Sequence, residues 1–203
     1  MCHTISRLST KNLQIIKNHA YECPSAGLVV APYPTQDILA TAYLRFKAEG
    51  LLPLFFHEDE TPLDLYQFLT WCMEAAGYMM GAYQQQGDQL ICTGIGKVGK
   101  PHSMGGGYQK AEVAMMFFRE FQVRDLTMPT CQMMIEMVFD RTNLDVLFGT
   151  TAERNRAALR FMKAIGFEYA KVGCFTTWQG QMCATYASWM SEEKWRTVSP
   201  FIL

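Results

Sequence analysis

Four side chains on predicted strands could move protons during a reaction. Tyr108 and Glu112 stand near the start of an apolar and aromatic strand predicted over residues 110–121, and Glu120 stands near its end. Tyr186 lies on the last predicted strand. A positioned carboxylate can act as a general base and a positioned phenol as a general acid. The same residues also have a purely structural interpretation, because tyrosines pack at strand rims and carboxylates at strand ends are commonly solvated.

Polar residues also stand where a long helix is predicted to begin. Arg124 and Thr127 precede a helix predicted over residues 128–142, with Thr127 as its N-cap. The first backbone N–H groups of a helix, together with its dipole, can bind an anion such as a phosphate. Thr127 is equally well explained as a residue that caps its own helix.

A glycine-rich segment covers residues 94–107. Its spacing does not match the phosphate-binding pattern G-x-x-x-x-G-K-[ST], and it precedes a predicted strand rather than a helix. We therefore interpret it as a flexible strand connection, with His102 exposed in a loop.

Composition narrows the class of protein. The chain has 203 residues, of which 49% are hydrophobic, and a net charge of -1. This balance favours a globular protein and gives no reason to expect binding to nucleic acid or to a membrane. Seven cysteines without a C-x-x-C pair indicate reduced, buried thiols and no metal site. With no signal peptide or long apolar run, a cytoplasmic location is expected.

Periodicity predicts three regions along the chain. Residues 1–27 form an extension with an amphipathic helix over Ser9–His19, residues 28–190 form one domain, and residues 191–203 form a tail. Within the domain the predicted order is strand, two helices, three strands, helix, strand, helix and two strands. This order predicts an α/β (α+β) fold with a mixed, mostly antiparallel sheet flanked by helices.

The segment Asn155–Phe167 is the most distinctive part of the sequence. Ala158, Phe161, Met162 and Ile165 recur at helical spacing, and Gly166 follows where a helix favours a left-handed residue. The pattern Asn-x-x-Ala-x-x-Phe-x-x-x-Ile-Gly-Phe resembles the C-terminal signature of the GCN5-related N-acetyltransferase (GNAT) superfamily. The predicted element order agrees with that family.

The resemblance implies acetyl-CoA as cofactor, inserted between parallel strands near residues 110–121 and 144–150. It also implies a pyrophosphate loop of the form Arg/Gln-x-x-Gly-x-Gly/Ala, whereas the corresponding segment here, Arg119–Thr130, contains no glycine. The residues expected to contact CoA are Arg124, Thr127, Asn155 and Arg156, although Asn155 could simply cap its own helix.

Many members of the family carry a catalytic tyrosine where this chain has Met162, which has no proton to donate. The candidates left for catalysis are therefore Glu112, Tyr108 and Tyr186.

Two kinds of function follow from the resemblance. The first is transfer of an acetyl group from acetyl-CoA to a small-molecule or protein amine. The second is a non-catalytic GNAT-fold protein that binds other proteins, with the aromatic tail residues Trp189, Trp195 and Phe201 as a docking element. Residues 160–166 and the preceding Gly-Thr-Thr also resemble, more loosely, GNAT-like proteins of tailed bacteriophages, so a virion component is one form of the second kind.

Overall fold

The computed structural model describes residues 19–54, 64–74, 76–178 and 181–201. The strands are β1 (Tyr21–Cys23), β2 (Leu28–Pro32), β3 (Ala76–Gln86), β4 (Gln89–Gly99), β5 (His102–Gly105), β6 (Tyr108–Phe117), β7 (Val146–Ala152), β8 (Glu168–Trp178) and β9 (Gln181–Ser191). The helices are α1 (Gln36–Ala48), α2 (Leu65–Glu74), α3 (Arg124–Arg141), α4 (Arg156–Ile165) and α5 (Glu192–Val198). A single turn of 3-10 helix, Arg119–Phe121, stands between β6 and α3.

The strands form one sheet in the order β1-β2-β3-β4-β6-β7-β9-β8, with β5 paired to β6 beside the end of β4. Among the described strands only β6 and β7 pair in parallel, and the other pairs are antiparallel. The predicted mixed, mostly antiparallel sheet is therefore confirmed. Strands β3 and β4 form an antiparallel hairpin, and so do β8 and β9.

A local start signal is present at α1 and a local stop signal at α4. The side chain of Thr35 accepts a hydrogen bond from the backbone N–H of Ile38 at the start of α1. At the end of α4, Gly166 adopts a left-handed conformation with φ of 107°, where a side chain would be strained. The side chain of Asp64 accepts a hydrogen bond from the backbone N–H of Gln67 at the start of α2. Thr61, which the sequence predicts at a helix start before Pro62, and most of the predicted Ser9–His19 helix lie outside the described residues.

Three predicted boundaries are wrong. The strand predicted over 110–121 ends at Phe117, and its last residues form the turn Arg119–Phe121, which contains Glu120. Helix α3 begins at Arg124 rather than at residue 128, so that Pro129 lies inside it. The segment 94–107 is not a flexible connection, because it completes β4 and forms β5, where His102 is exposed.

Helices cover both faces of the sheet. One buried cluster lies under α1 and α2 and includes Phe46, Phe68, Tyr83 and Met116. The other lies under α3, α4 and α5, and its buried members include Met133, Met137, Leu147, Ile165 and Trp195. Methionine is used here as core filling, as expected from its flexible, apolar side chain.

The C-terminal helix α5 is part of the core. Trp195 is fully buried, and its indole N–H donates a hydrogen bond to the carboxylate of Glu136 on α3. The same carboxylate accepts from Ser199 at 2.8 Å and from Arg196 at 2.8 Å. Trp195 therefore packs within its own chain and is not exposed as a docking element. The domain boundaries at 27/28 and 190/191 stay predictions, although β1 and α5 extend the packed region beyond them.

One edge of the sheet is the eleven-residue strand β8, and its pairing with β9 is irregular. The register shifts between Val172 and Phe175, so Gly173 and Cys174 have no partner in the ladder. This is a β-bulge, which bends the strand and locally increases its twist.

The described part of the chain contains no helix long and apolar enough to cross a membrane. Among the same residues no group of three or more His, Cys, Asp or Glu side chains could hold a metal ion.

Candidate active site

The parallel strands β6 and β7 separate partway along their length. Their ladder pairs Lys110 with Val146 and ends where Glu112 pairs with Phe148. Beyond that point β6 continues beside β4 to Phe117, and β7 continues beside β9. No further pair joins β6 to β7 in the described ladders, so the main-chain groups of residues 113–117 and 149–152 that face the separation have no partner in a β6–β7 ladder.

The junction of the two strands is closely packed at Gly149. A β-carbon on Gly149 would lie 3.3 Å from the carbonyl oxygen of Val113 and 3.7 Å from Cε of Met162. The hydroxyl of Ser188 on β9 donates to the Gly149 carbonyl at 3.2 Å. Glycine therefore keeps the narrow end of the separation open, and Met162 on α4 reaches it from one face of the sheet.

Glu112 lies at the junction on the opposite face. It is exposed, and its Oε1 accepts a hydrogen bond from the hydroxyl of Thr150 on β7 at 3.4 Å. Because Glu112 pairs with Phe148, Thr150 is its diagonal neighbour on the same face of the sheet. The two side chains bridge the strands where the ladder ends.

Tyr186 lies on the other face of the sheet. It pairs with Thr151, and Thr151 points away from the face that carries Thr150, since side chains alternate along a strand. That face is the one covered by α4, whose Phe161 and Met162 pack on the cluster beneath α3. Glu112 and Tyr186 therefore flank the end of β7 from opposite sides, and Tyr186 is partly buried.

Tyr108 is not brought together with these residues. It begins β6, four residues before Glu112, which at ~3.3 Å per residue places it about 13 Å from the junction. It lines a shallow depression with Asp145, Glu193 and Arg196, at the end of the sheet where β6 and β7 begin. A second depression, lined by Tyr78, Asn143 and others, also lies at that end.

The N-terminus of α3 carries Arg124 and is preceded by Val123, which provides no side-chain cap. Arg124 is exposed at the first helical position. Thr127 is not the N-cap, because it lies at the fourth position of the helix and its hydroxyl donates back to the Val123 carbonyl at 2.9 Å. The first backbone N–H groups of α3, rather than Thr127, are therefore the donors at this helix start that no side-chain cap satisfies.

The N-terminus of α4 is capped by its own side chain. Oδ1 of Asn155 accepts a hydrogen bond from the backbone N–H of Ala158 at 3.2 Å. Arg156 is the first residue of the helix and is exposed. Arg156 is thus accessible to a ligand, while the side-chain oxygen of Asn155 already has a partner.

Helices α3 and α4 begin at the same end of the strands. Helix α3 follows the end of β6 and α4 follows the end of β7, and these are the carboxyl ends of two neighbouring parallel strands. A ligand in the separation would lie with its far end near both helix N-termini, a place where open sheets commonly bind phosphates.

The sequence did not single out Thr150 or Gly149 as site residues. Both belong to the Gly-Thr-Thr run 149–151 of β7, and only the register of β6 against β7 brings them to Glu112 and Val113. Two adjacent threonines after a glycine in a strand of otherwise apolar residues were the available signal.

Comparisons with known proteins agree with this geometry. Residues 32–168, more than half of the chain, match the family Acetyltransf_3, described as an acetyltransferase (GNAT) domain. The chain therefore belongs to the GNAT acetyltransferase family. No match was found among the curated proteins.

Solved structures share the fold at low sequence identity. Spermidine N-acetyltransferase from Vibrio cholerae, in complex with CoA and spermine, superposes with a TM-score of 0.65 at 12% identity over 83% of this chain and 98% of that one. Ribosomal-protein-S5-alanine acetyltransferase from Vibrio fischeri gives 0.64 at 14% identity over 87% and 98%. YncA from Salmonella typhimurium, solved with its cofactor acetyl-CoA, gives 0.62 at 16% identity over 81% and 94%.

Proposed function

We propose that this protein is an N-acetyltransferase that moves an acetyl group from acetyl-CoA to a small-molecule or protein amine. The observation that carries the proposal is the separation of β6 and β7 beyond Glu112, with two helix N-termini at the same end of the strands. Family membership and neighbours solved with CoA or acetyl-CoA support it.

The residues present fit such a cofactor. The main chain of residues 113–117 and 149–152 would bind an extended, amide-containing arm such as pantetheine through strand-like hydrogen bonds. The uncapped start of α3 with Arg124, and Arg156 at the start of α4, would face its phosphates. When bound, acetyl-CoA supplies an activated thioester.

The protein's own side chains divide the proton transfers. Glu112 is exposed at the junction and would accept the proton that an amine loses as it becomes a nucleophile. Thr150 would hold the Glu112 carboxylate in place. Met162 has no proton to give, so Tyr186, on the face covered by α4, is our candidate for the acid that protonates the leaving thiolate. Tyr108 has no role in this proposal.

The acceptor class rests on the neighbours alone. One of them was solved with spermine, and another is named for the alanine of a ribosomal protein. A polyamine and a peptide with a free α-amine are therefore the first acceptors to test.

The proposal is tested by calorimetric titration of the purified protein with acetyl-CoA, followed by an assay for free thiol in the presence of spermidine or an N-terminal alanine peptide. A ligand that binds the folded state raises the melting temperature by mass action. The absence of both binding heat and a thermal shift at millimolar acetyl-CoA would overturn the proposal.

The alternative is a GNAT fold without catalysis. It is favoured by two observations, the glycine-free segment before α3 and Met162 in place of a proton donor. Neither the family match nor the neighbours described above support a virion component. Two results together would favour this alternative. The protein would bind acetyl-CoA but release no free CoA thiol with any amine tested, and it would purify with other proteins in an assembly of fixed stoichiometry.

A further inference from the structure

The turn Arg119–Phe121 receives its N-terminal cap from another element. Phe118, the residue before the turn, provides no side-chain hydrogen bond. Instead Glu49, which follows α1, accepts the backbone N–H of Arg119 on its Oε2 at 2.7 Å. These residues are 70 positions apart in sequence, so the cap of the turn is a tertiary contact, added to the backbone hydrogen bonds from Phe121 to Phe118 and from Gln122 to Arg119.

Further contacts tie the end of α1 to this turn and hold the Glu49 carboxylate in place. The guanidinium of Arg119 donates to the Glu49 carbonyl oxygen at 2.9 Å. Arg45 donates from Nε to Glu49 Oε1 at 2.8 Å and pairs with Glu120 at 2.9 Å. Its guanidinium carbon also lies 4.2 Å from the centre of the buried Phe118 ring. We call Arg45, Glu49, Arg119 and Glu120 the α1 brace.

The brace is charge-balanced and partly shielded from water. It contains two arginines and two glutamates, and the side chains of Arg45 and Glu49 are 16% and 19% exposed. Burial works against the charge on Arg45, yet hydrogen bonds with Glu120 and Glu49 raise the pKa of its guanidinium above the ordinary value. Hydrogen bonds between charged partners of low exposure are stronger than those between surface ions.

The brace acts on the segment that would have to bind phosphate. Only Gln122 and Val123 separate the turn from the first residue of α3, Arg124. Gln122 is itself fixed, because its side-chain N–H donates to the carbonyl oxygen of Phe117 at 2.8 Å. A segment without glycine cannot adapt its backbone freely to a phosphate, so the direction of its N–H groups must be set beforehand by such contacts.

We propose that Glu49 is a positioning residue for the diphosphate of CoA, which it orients indirectly by fixing the turn Arg119–Phe121 and hence the N-terminus of α3. This inference rests on the proposed function. Glu49 would not touch the ligand; it would act through the backbone N–H of Arg119 and the side chains of Arg119 and Arg45.

The test measures CoA affinity by calorimetry for the wild type, Glu49→Gln and Glu49→Ala, with acetyl-pantetheine, which lacks the diphosphate, as a second ligand. We expect the Kd for CoA to rise about 10-fold in Glu49→Ala, the effect of roughly one charge-assisted hydrogen bond, and less in Glu49→Gln, which can still accept a bond. The affinity for acetyl-pantetheine should change less than 2-fold. Glu168→Gln, which alters an exposed ion pair with Lys194 at 3.0 Å, is the matched control and should leave both affinities unchanged.

The outcomes separate the two proposals. A wild-type protein that binds no CoA overturns the proposed function and this inference with it. A wild type that binds CoA and a Glu49→Ala variant of equal affinity overturn the inference alone. An equal loss for CoA and acetyl-pantetheine would also overturn it, because that pattern indicates general destabilisation. If Glu49→Ala does not fold, the exposed Glu120→Gln, which removes one charge from the brace, is measured in the same way and is expected to weaken CoA binding about 3-fold.

Discussion

The hydroxyl of Thr150 donates a hydrogen bond to the carboxylate of Glu112 across the point where β6 and β7 separate, at 3.4 Å. The contact links Glu112, in the last pair of the parallel ladder, to a residue of β7 that lies just beyond the end of that ladder. It joins the candidate base to a strand that would line the cofactor. The effects of substitutions at Glu112 and Thr150 on catalysis should therefore depend on each other.

Replacement of Glu112 by Gln is expected to lower kcat by about 10² to 10⁴-fold, the usual contribution of a positioned acid or base. The KM for acetyl-CoA should change little, because Glu112 is proposed to act on the amine and is not among the residues proposed to bind CoA. Steady-state kinetics with spermidine or a peptide amine measures both constants. Glu168→Gln, an exposed carboxylate on β8, is the control, and similar kcat values for the two variants would exclude Glu112 as the base.

Thr150→Val removes the hydroxyl while keeping the shape of the side chain. We expect kcat to fall about 5-fold in the wild-type background, because Glu112 loses its partner, and to remain unchanged in the Glu112→Gln background. A double-mutant cycle on kcat provides the measurement. Additive effects of the two substitutions would show that the hydrogen bond does not serve the reaction.

Gly149→Ala should weaken CoA binding about 10-fold. The new methyl group would lie 3.3 Å from the carbonyl oxygen of Val113, at the narrow end of the separation between the strands. Gly173→Ala is a matched control, since nothing lies within 4 Å of the corresponding position in β8. Calorimetry with CoA compares the two; equal affinities would place the ligand elsewhere.

Trp195→Phe should destabilise the fold by about 2–4 kcal/mol. It removes the indole N–H that pairs with Glu136, a carboxylate only 6% exposed, and it leaves space in the core beneath α3. Urea unfolding gives the free energy of unfolding. The partly buried Trp189 offers the same substitution as a control, for which we expect a loss below about 1.5 kcal/mol. An effect on Trp195 no larger than this would contradict a structural role for α5.

Alkaline pH should destabilise the protein. Burial raises the pKa of the Cys72 and Cys92 thiols to about 12, and burial together with a hydrogen bond to Asp140 raises the pKa of Tyr21 to about 12. Each group stays protonated in the folded chain but ionises in the unfolded chain near its ordinary pKa. The stabilising contribution is therefore complete below about pH 9 and is lost as the pH rises towards 12, at up to ~1.4 kcal/mol per pH unit for each thiol.

Urea unfolding at pH 8, 9 and 10 measures this loss. Cys92→Ala should show a shallower decline above pH 9 than the wild type. A free energy of unfolding that stays constant between pH 8 and 10 would contradict the prediction.

The sequence predicted the order of elements because their signals are local. Apolar periodicity and the Gly166 stop depend on residues close in the chain, and both are confirmed for α4. The cap that Thr35 forms at the start of α1 is equally local. The start of α3 was missed because Pro129 and Thr127 are both favoured near helix starts, yet here they lie inside the helix. Propensity alone could not show that Arg124 to Thr127 already form its first turn.

The candidate site was only partly predictable for a different reason. Glu112 and Tyr186 were selected by residue type. Their positions on opposite faces of the sheet follow from the strand register, which cannot be read from the sequence. Glu49 could not be foreseen at all, since its carboxylate accepts the backbone N–H of a residue 70 positions away in sequence, Arg119. Tertiary pairing, rather than any local pattern, gives these residues their place.

The bulge in β8 has a consequence for how the folded chain behaves at high concentration. An eleven-residue edge strand with regular main-chain donors and acceptors would be a template for a strand from another molecule. The register shift between Val172 and Phe175 interrupts that template near its middle, and Glu168 and Lys171 place charges along the remaining half. We expect the bulge at Gly173 and Cys174 to protect against edge-to-edge aggregation. Deletion of both residues, which would make the pairing with β9 continuous, should make the protein prone to form β-rich aggregates, measurable by thioflavin fluorescence and light scattering.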